Sequence, residues 1–229
     1  MDGPTADGGA VALGLALLWL GFGGSHVLLS SLRVRRRLVA ALGTVPFLGL
    51  YSVVALAFFV PLVRLYFAHK HAGPLLWTPG VGDPARVAIY GGMGLAFVLV
   101  VSGLLQPGPA GVVPGSLVPR GVYRLTRHPQ NMGIALFGAL HLVPNGFASD
   151  VVFFGGVAAF AILGSWHQDA RKRVDGPRGY AEFVARTPFW PFTGRETVQG
   201  LRELSPLAVA LGVGAAWLVR HFHARWFGG

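Results

Sequence analysis

Six apolar stretches, each close to the length that crosses a lipid bilayer, dominate this chain. They lie near residues 9–31, 46–68, 86–106, 130–147, 151–168 and 204–223. A spanning helix needs roughly 20 mainly apolar residues. In hydrocarbon every backbone polar group must be satisfied internally, and apolar runs this long manage that as helices. The expected fold is therefore an all-α, polytopic integral-membrane helical bundle with about six transmembrane helices, forming one domain over residues 1–229. Charged residues make up only 12% and mean hydropathy is +0.56, against about 25% charged in soluble domains. The fourth and fifth stretches are short and joined by Pro144, Asn145 and Gly146, which predicts a tight helical hairpin. Pro61 is expected to kink the second helix. The first stretch follows an acidic MDGPTAD without a basic region, so it is expected to be a retained helix, not a cleaved signal peptide.

The net charge is +10. In a membrane protein that excess reads as topology signals and contacts to anionic lipid, with no nucleic-acid partner. Arg33, Arg35, Arg36 and Arg37 follow the first helix, and Arg120, Arg124 and Arg127 follow the third. Arg171, Lys172, Arg173, Arg178, Arg186, Arg195 and Arg202 follow the fifth. These three loops carry 14 of the 19 basic residues. The bias puts them in the cytoplasm and both termini outside, in an integral membrane protein of the bacterial inner membrane. The loop near 169–203 reads as an amphipathic stretch at 177–186 followed by an extended aromatic segment. Tyr180, Phe183, Phe189, Trp190 and Phe192 suggest a packed lid at the membrane surface.

Two histidines, His26 and His141, lie inside apolar stretches. Ionisable groups at membrane depth usually face the bundle interior and carry function, and a neutral imidazole is the commonest protein metal ligand. With no cysteine in the chain, thiolate ligation, disulfides, iron–sulfur clusters and a cysteine nucleophile are excluded. The ring N–H that faces away from a metal is expected to meet a carbonyl or hydroxyl, from a neighbouring helix. Counting at 1.5 Å per residue places His26 toward the cytoplasmic side and His141 roughly 8–10 Å deeper. His128 and His167 stand nearer the depth of His26 and are rival ligands. His69, His71, His221 and His223 lie in flanks and read as interfacial residues. At residues 121–146, Arg127, His128 and Pro129 meet the fourth helix where proline suits the first turn. Arg124 and Arg127 add charge for an anion at a helix N-terminus. Gly133 and Gly138 leave room for a neighbour or a flat ligand.

Three segments carry a family resemblance: GSHVLLSSLRVRRRLVAALG (24–43), GVYRLTRHPQNMGIALFGALHL (121–142) and GSWHQDARKRVDGPRGYAEFVARTPFWPF (164–192). They resemble the NnrU family, whose members include 15-cis-zeta-carotene isomerase. The Arg-His-Pro corner is also similar, more distantly, to isoprenylcysteine and phospholipid methyltransferases, which bind S-adenosylmethionine. The NnrU resemblance implies haem b with His26 and His141 as axial ligands, and hence as catalytic residues. It implies a cis–trans isomerase acting on a carotenoid or other apolar polyene or isoprenoid lipid, served by an electron donor it does not name. Arg124, Arg127, His128, Gly133, Gly138 and His167 complete the expected cofactor-binding set. The carotene isomerase carries a cysteine where Gly138 stands. Two alternatives are a non-catalytic haem accessory or sensor in nitrogen-oxide respiration, and a methyltransferase. The latter pattern expects a glutamate pair where this chain has Gln168 and Asp169.

Overall fold

The computed structural model describes residues 6–78, 80, 82–109 and 115–228. Five helices are long and apolar enough to cross a membrane: Gly8–Ser30, Thr44–Ala68, Asp83–Leu105, Ala148–Asp175 and Pro206–Phe227. No strand occurs among the described residues beyond an isolated bridge between Leu75 and Phe147. Large apolar side chains such as Leu20, Val45 and Val87 stand more than two-thirds exposed in mid-helix or near helix ends. Lipid accepts such a surface; water would not. The described residues fall into two compact units. Those within Met1–Gly80 and His141–Phe160 form one, and those within Val81–Leu140 and Ala161–Gly229 the other.

In the first unit, α1 (Ala6–Ser30) packs along α3 (Thr44–Ala68). The approach is close at Gly21, where a Cβ would come within 2.3 Å of the Phe58 ring. Pro61 lies inside α3, which runs unbroken past it. Between them lies α2 (Leu32–Leu42), with no buried residue. The arginine-rich loop expected there is a helix instead. Arg33, Arg35, Arg36 and Arg37 alternate with Leu32, Val34, Leu38 and Val39, a composition suited to the interface. Gly43, at φ +86°, ends α2 and turns the chain into α3.

The short α6 (Pro129–Leu142) and the long α7 (Ala148–Asp175) make the expected hairpin. Their corner is stitched to the segment after α3. Leu76 N–H donates to the Gly146 carbonyl at 2.8 Å, Ala148 N–H to that of Pro74 at 3.0 Å and Ser149 N–H to that of Ala72 at 3.1 Å. The corner therefore lies at the end of the unit where α3 finishes. At 14 residues, α6 is about 21 Å long, shorter than a hydrocarbon core of about 30 Å. The expected fourth span is thus a short helix ending on the α3-terminal side.

In the second unit, α4 (Asp83–Leu105) packs along α10 (Pro206–Phe227). Gly212 admits this contact, since a Cβ there would sit 2.6 Å from the Val98 Cα. Ser205 accepts the Ala208 N–H at the start of α10, and Pro206 occupies its first turn. The short α5 (Val122–Leu125), α8 (Tyr180–Arg186) and α9 (Thr197–Arg202) form the polar end. Leu99, Val122, Tyr123, Tyr180 and Phe183 make its apolar core.

Candidate functional site

His26 sits near the end of α1 with its ring among Phe22, Tyr51 and Phe160, at centroid distances of 4.2, 5.0 and 5.1 Å. Its Nδ1 lies 2.8 Å from the Phe22 carbonyl, one turn earlier. That bond sets Nδ1 as the donor and leaves Nε2 with the lone pair, the tautomer a metal-binding imidazole needs. The ring N–H thus meets a backbone carbonyl, as expected, but of its own helix rather than a neighbour. A helix carbonyl can accept a second bond from a side chain four residues on, so no other helix is required.

His141, in the last turn of α6, stacks on Phe154 of α7 at 4.4 Å and 16°. Phe154 and Phe160 are six residues apart, which is about 9 Å of rise along α7. The two imidazoles therefore contact α7 at different levels, in agreement with the depth offset read from the sequence. The span between is aromatic. Trp19 packs on Phe153 at 6.4 Å and Phe160 at 6.1 Å, and Tyr66 stacks on Phe153 at 3.9 Å and 5°. Gly156 makes room for the indole, because a Cβ there would lie 2.1 Å from Trp19 Nε1. That indole N–H is buried and meets no acceptor among the described residues.

The arginine corner in the second unit is built around Asp169, which is 2% exposed. Its Oδ2 accepts from Arg127 Nε at 2.6 Å; its Oδ1 meets His128 Nε2 and the Tyr180 hydroxyl, both at 2.8 Å. Arg127 Nη1 also donates to the Thr187 carbonyl at 2.8 Å. The Phe189 ring lies under the Arg127 guanidinium at 5.1 Å. Burial, then the bond to Asp169, pushes the Tyr180 phenol up. The aromatic segment is the packed lid expected. Arg127 N–H donates to the Pro188 carbonyl, Phe192 N–H to that of Leu125, and Thr126 Oγ1 to that of Phe189. Pro129 does open α6.

The corner differs from the expected open anion site. Arg124 is paired with Glu196 and Glu203, and Arg127 with Asp169. An incoming anion would have to displace these carboxylates. His128 is not placed as a rival iron ligand: its side chain is 1% exposed and its Nε2 belongs to Asp169. His167 is partly buried on α7, while both Asp169 oxygens serve Arg127, His128 and Tyr180. Gly133 accommodates a neighbouring helix, since a Cβ would sit 2.5 Å from the Ala96 carbonyl oxygen on α4. Gly138 is buried on α6. Among the described residues no group of three or more His, Cys, Asp or Glu side chains is arranged to hold a metal ion.

The NnrU protein family model matches residues 14–229. The chain belongs to the NnrU family. Comparison with curated proteins and with solved structures returned no match. The family match spans both histidines and the whole arginine corner of this NnrU protein.

One functional group lay outside the expected set. Asp150, in the first turn of α7, is fully buried. It accepts from the Tyr66 hydroxyl at 3.0 Å, and from the backbone N–H and Nδ1 of His71 at 3.3 and 2.8 Å. His71, read as a simple interfacial residue, is thus tied to a buried carboxylate. The chain has only nine acidic residues, and a carboxylate opening an apolar span was the available signal.

Proposed function

We propose that this NnrU protein is a haem b protein of the bacterial inner membrane that isomerises an apolar polyene or isoprenoid lipid. The observation that carries the reading is His26, an imidazole in a spanning helix with Nδ1 on the Phe22 carbonyl and Nε2 left for a ligand. The donor chemistry fits haem iron: two imidazoles in aromatic surroundings and no thiolate. His26 and His141 would hold the iron. Phe22, Tyr51 and Phe160 fix the His26 ring and exclude water from it. Haem would supply a redox-active iron next to the substrate's π system. The lipid-facing apolar surface supports a substrate that arrives through the bilayer.

The pairing of Arg124 and Arg127 with the chain's own carboxylates speaks against a methyltransferase that docks a cofactor carboxylate at that corner. The test is the absorption spectrum of the detergent-purified protein, followed by turnover of a 15-cis polyene under reducing conditions. A Soret band with low-spin character and isomer conversion is expected. A colourless protein overturns the haem reading. A red protein inert toward cis polyenes leaves the family's electron-carrier or sensor role.

A further inference from the structure

We infer that Tyr66 is a redox-active tyrosine, with Asp150 and His71 as its proton exit to the aqueous phase at the end of α3. The three groups form one hydrogen-bonded line. Tyr66 is 4% exposed and gives its hydroxyl proton to Asp150 Oδ1. Asp150 is 0% exposed, and its Oδ2 meets Nδ1 of His71 at 2.8 Å. The His71 side chain is 48% exposed and lies beyond the end of the candidate span Thr44–Ala68. Chains of carboxylate and imidazole groups are how membrane proteins move protons. His71 also holds φ at +55°, an uncommon backbone state for a residue other than glycine. Its amide and its ring both address Asp150, so the turn is shaped around that carboxylate.

Besides Phe67 of its own helix, at 5.5 Å, Tyr66 meets two aromatic rings of α7. Its ring stacks on Phe153 at 3.9 Å and meets Phe154 edge-on at 5.5 Å. Phe154 stacks on His141, and Phe153 touches Trp19, which reaches Phe160 and through it His26. Tyr66 is thus an oxidisable ring on an aromatic path that meets both membrane histidines, as is Trp19, and the Tyr66 hydroxyl faces a base in Asp150. A phenol that loses an electron becomes strongly acidic. In the step inferred, Tyr66 gives one electron to a one-electron oxidant of the iron–porphyrin class. Its O–H bond breaks, and the proton passes to Asp150. Nδ1 of His71 keeps its proton and goes on donating to Oδ2; with His71 in the imidazolium form, its far ring nitrogen releases one proton to water as Asp150 is neutralised. The product is a neutral phenoxyl radical beside a protonated Asp150 and a neutral His71. Returning the electron and the proton restores the phenol.

The natural oxidant rests on the haem reading above, but the relay is tested without it. The purified protein is illuminated with a ruthenium tris-bipyridine complex and a sacrificial electron acceptor, frozen, and examined by electron paramagnetic resonance. A neutral tyrosyl signal is expected. Tyr66→Phe keeps the ring stack and should remove most of that signal. His71→Ala, at a half-exposed position, should slow radical formation without changing the helical content. An unchanged signal in Tyr66→Phe, assigning it to the other four tyrosines, overturns the inference. Unchanged formation kinetics in His71→Ala overturns the exit route. A colourless protein that still forms the Tyr66 radical would sink the haem reading and leave the relay standing.

Discussion

Arg127 and Asp169, 42 positions apart, meet as a buried ion pair, Nε to Oδ2 at 2.6 Å, with side chains 10% and 2% exposed. Asp169 is satisfied by three side chains at once: Arg127 and His128 before α6, and Tyr180 at the start of α8. Removing one member of such a network strands the others without partners. Asp169→Ala should therefore cost about 3–5 kcal/mol, the usual range for breaking a buried pair. A large drop in the unfolding midpoint in detergent is expected, and a change within error would show the network to be structurally idle.

On the haem reading proposed above, His26→Ala and His141→Ala should each lose the low-spin spectrum or the haem itself. His69→Ala and His221→Ala should leave it intact, because those rings lie in the flanks. His128→Ala should destabilise the protein through Asp169 and leave the spectrum of the retained haem unchanged. A lost spectrum in His167→Ala with a normal one in His141→Ala would move the second ligand to α7.

Gly133→Ala places a methyl group 2.5 Å from the Ala96 carbonyl oxygen and 3.2 Å from the Val100 amide nitrogen. Backbone cannot yield as a side chain tip can. Overpacking of this kind costs about 1–3 kcal/mol. Thermal unfolding of the variant measures it, and unchanged stability would mean that α6 is free to move away from α4.

Glu203 joins α9 to the Gly121 turn. The Gly121 amide, then the Arg124 guanidinium, holds its carboxyl down at about 2. The folded value lies below the ordinary one of 4.5, so the contribution is complete above that pH. It fades as pH falls from there through about 2. Hydrogen exchange at residues 194–204 should accelerate over that window and not between pH 6 and 8. Glu203→Gln should flatten the acid response.

If α6 is counted as a sixth crossing beside the five longer helices, both termini should face away from the arginine-rich segments. Reporter fusions at residue 229 and within 171–178 should report opposite sides. A C-terminus on the side of the 171–178 loop would remove α6 from the count.

Sequence alone determined that this chain is a helical membrane protein, where its five long apolar helices lie, and that His26 and His141 stand inside apolar helical stretches. Those features follow from hydrophobic run length and the cost of polar groups in lipid, which are local. It also marked Arg127, His128 and Pro129 as the opening of α6. What occupies those groups was decided by tertiary structure. Asp169 is 42 positions from Arg127, and Asp150 lies 84 from Tyr66. No periodicity links partners so far apart, so an arginine that reads as an open anion site closes on a carboxylate two helices later. The helical state of Arg33–Arg37 was hidden for a different reason. A short amphipathic helix at an interface carries too little apolar sequence to stand out, and it forms because α1 and α3 fix both its ends. Folding likewise turned His71 from an interfacial residue into the partner of a buried acid, because the α6–α7 corner brings the first turn of α7 against the segment after α3.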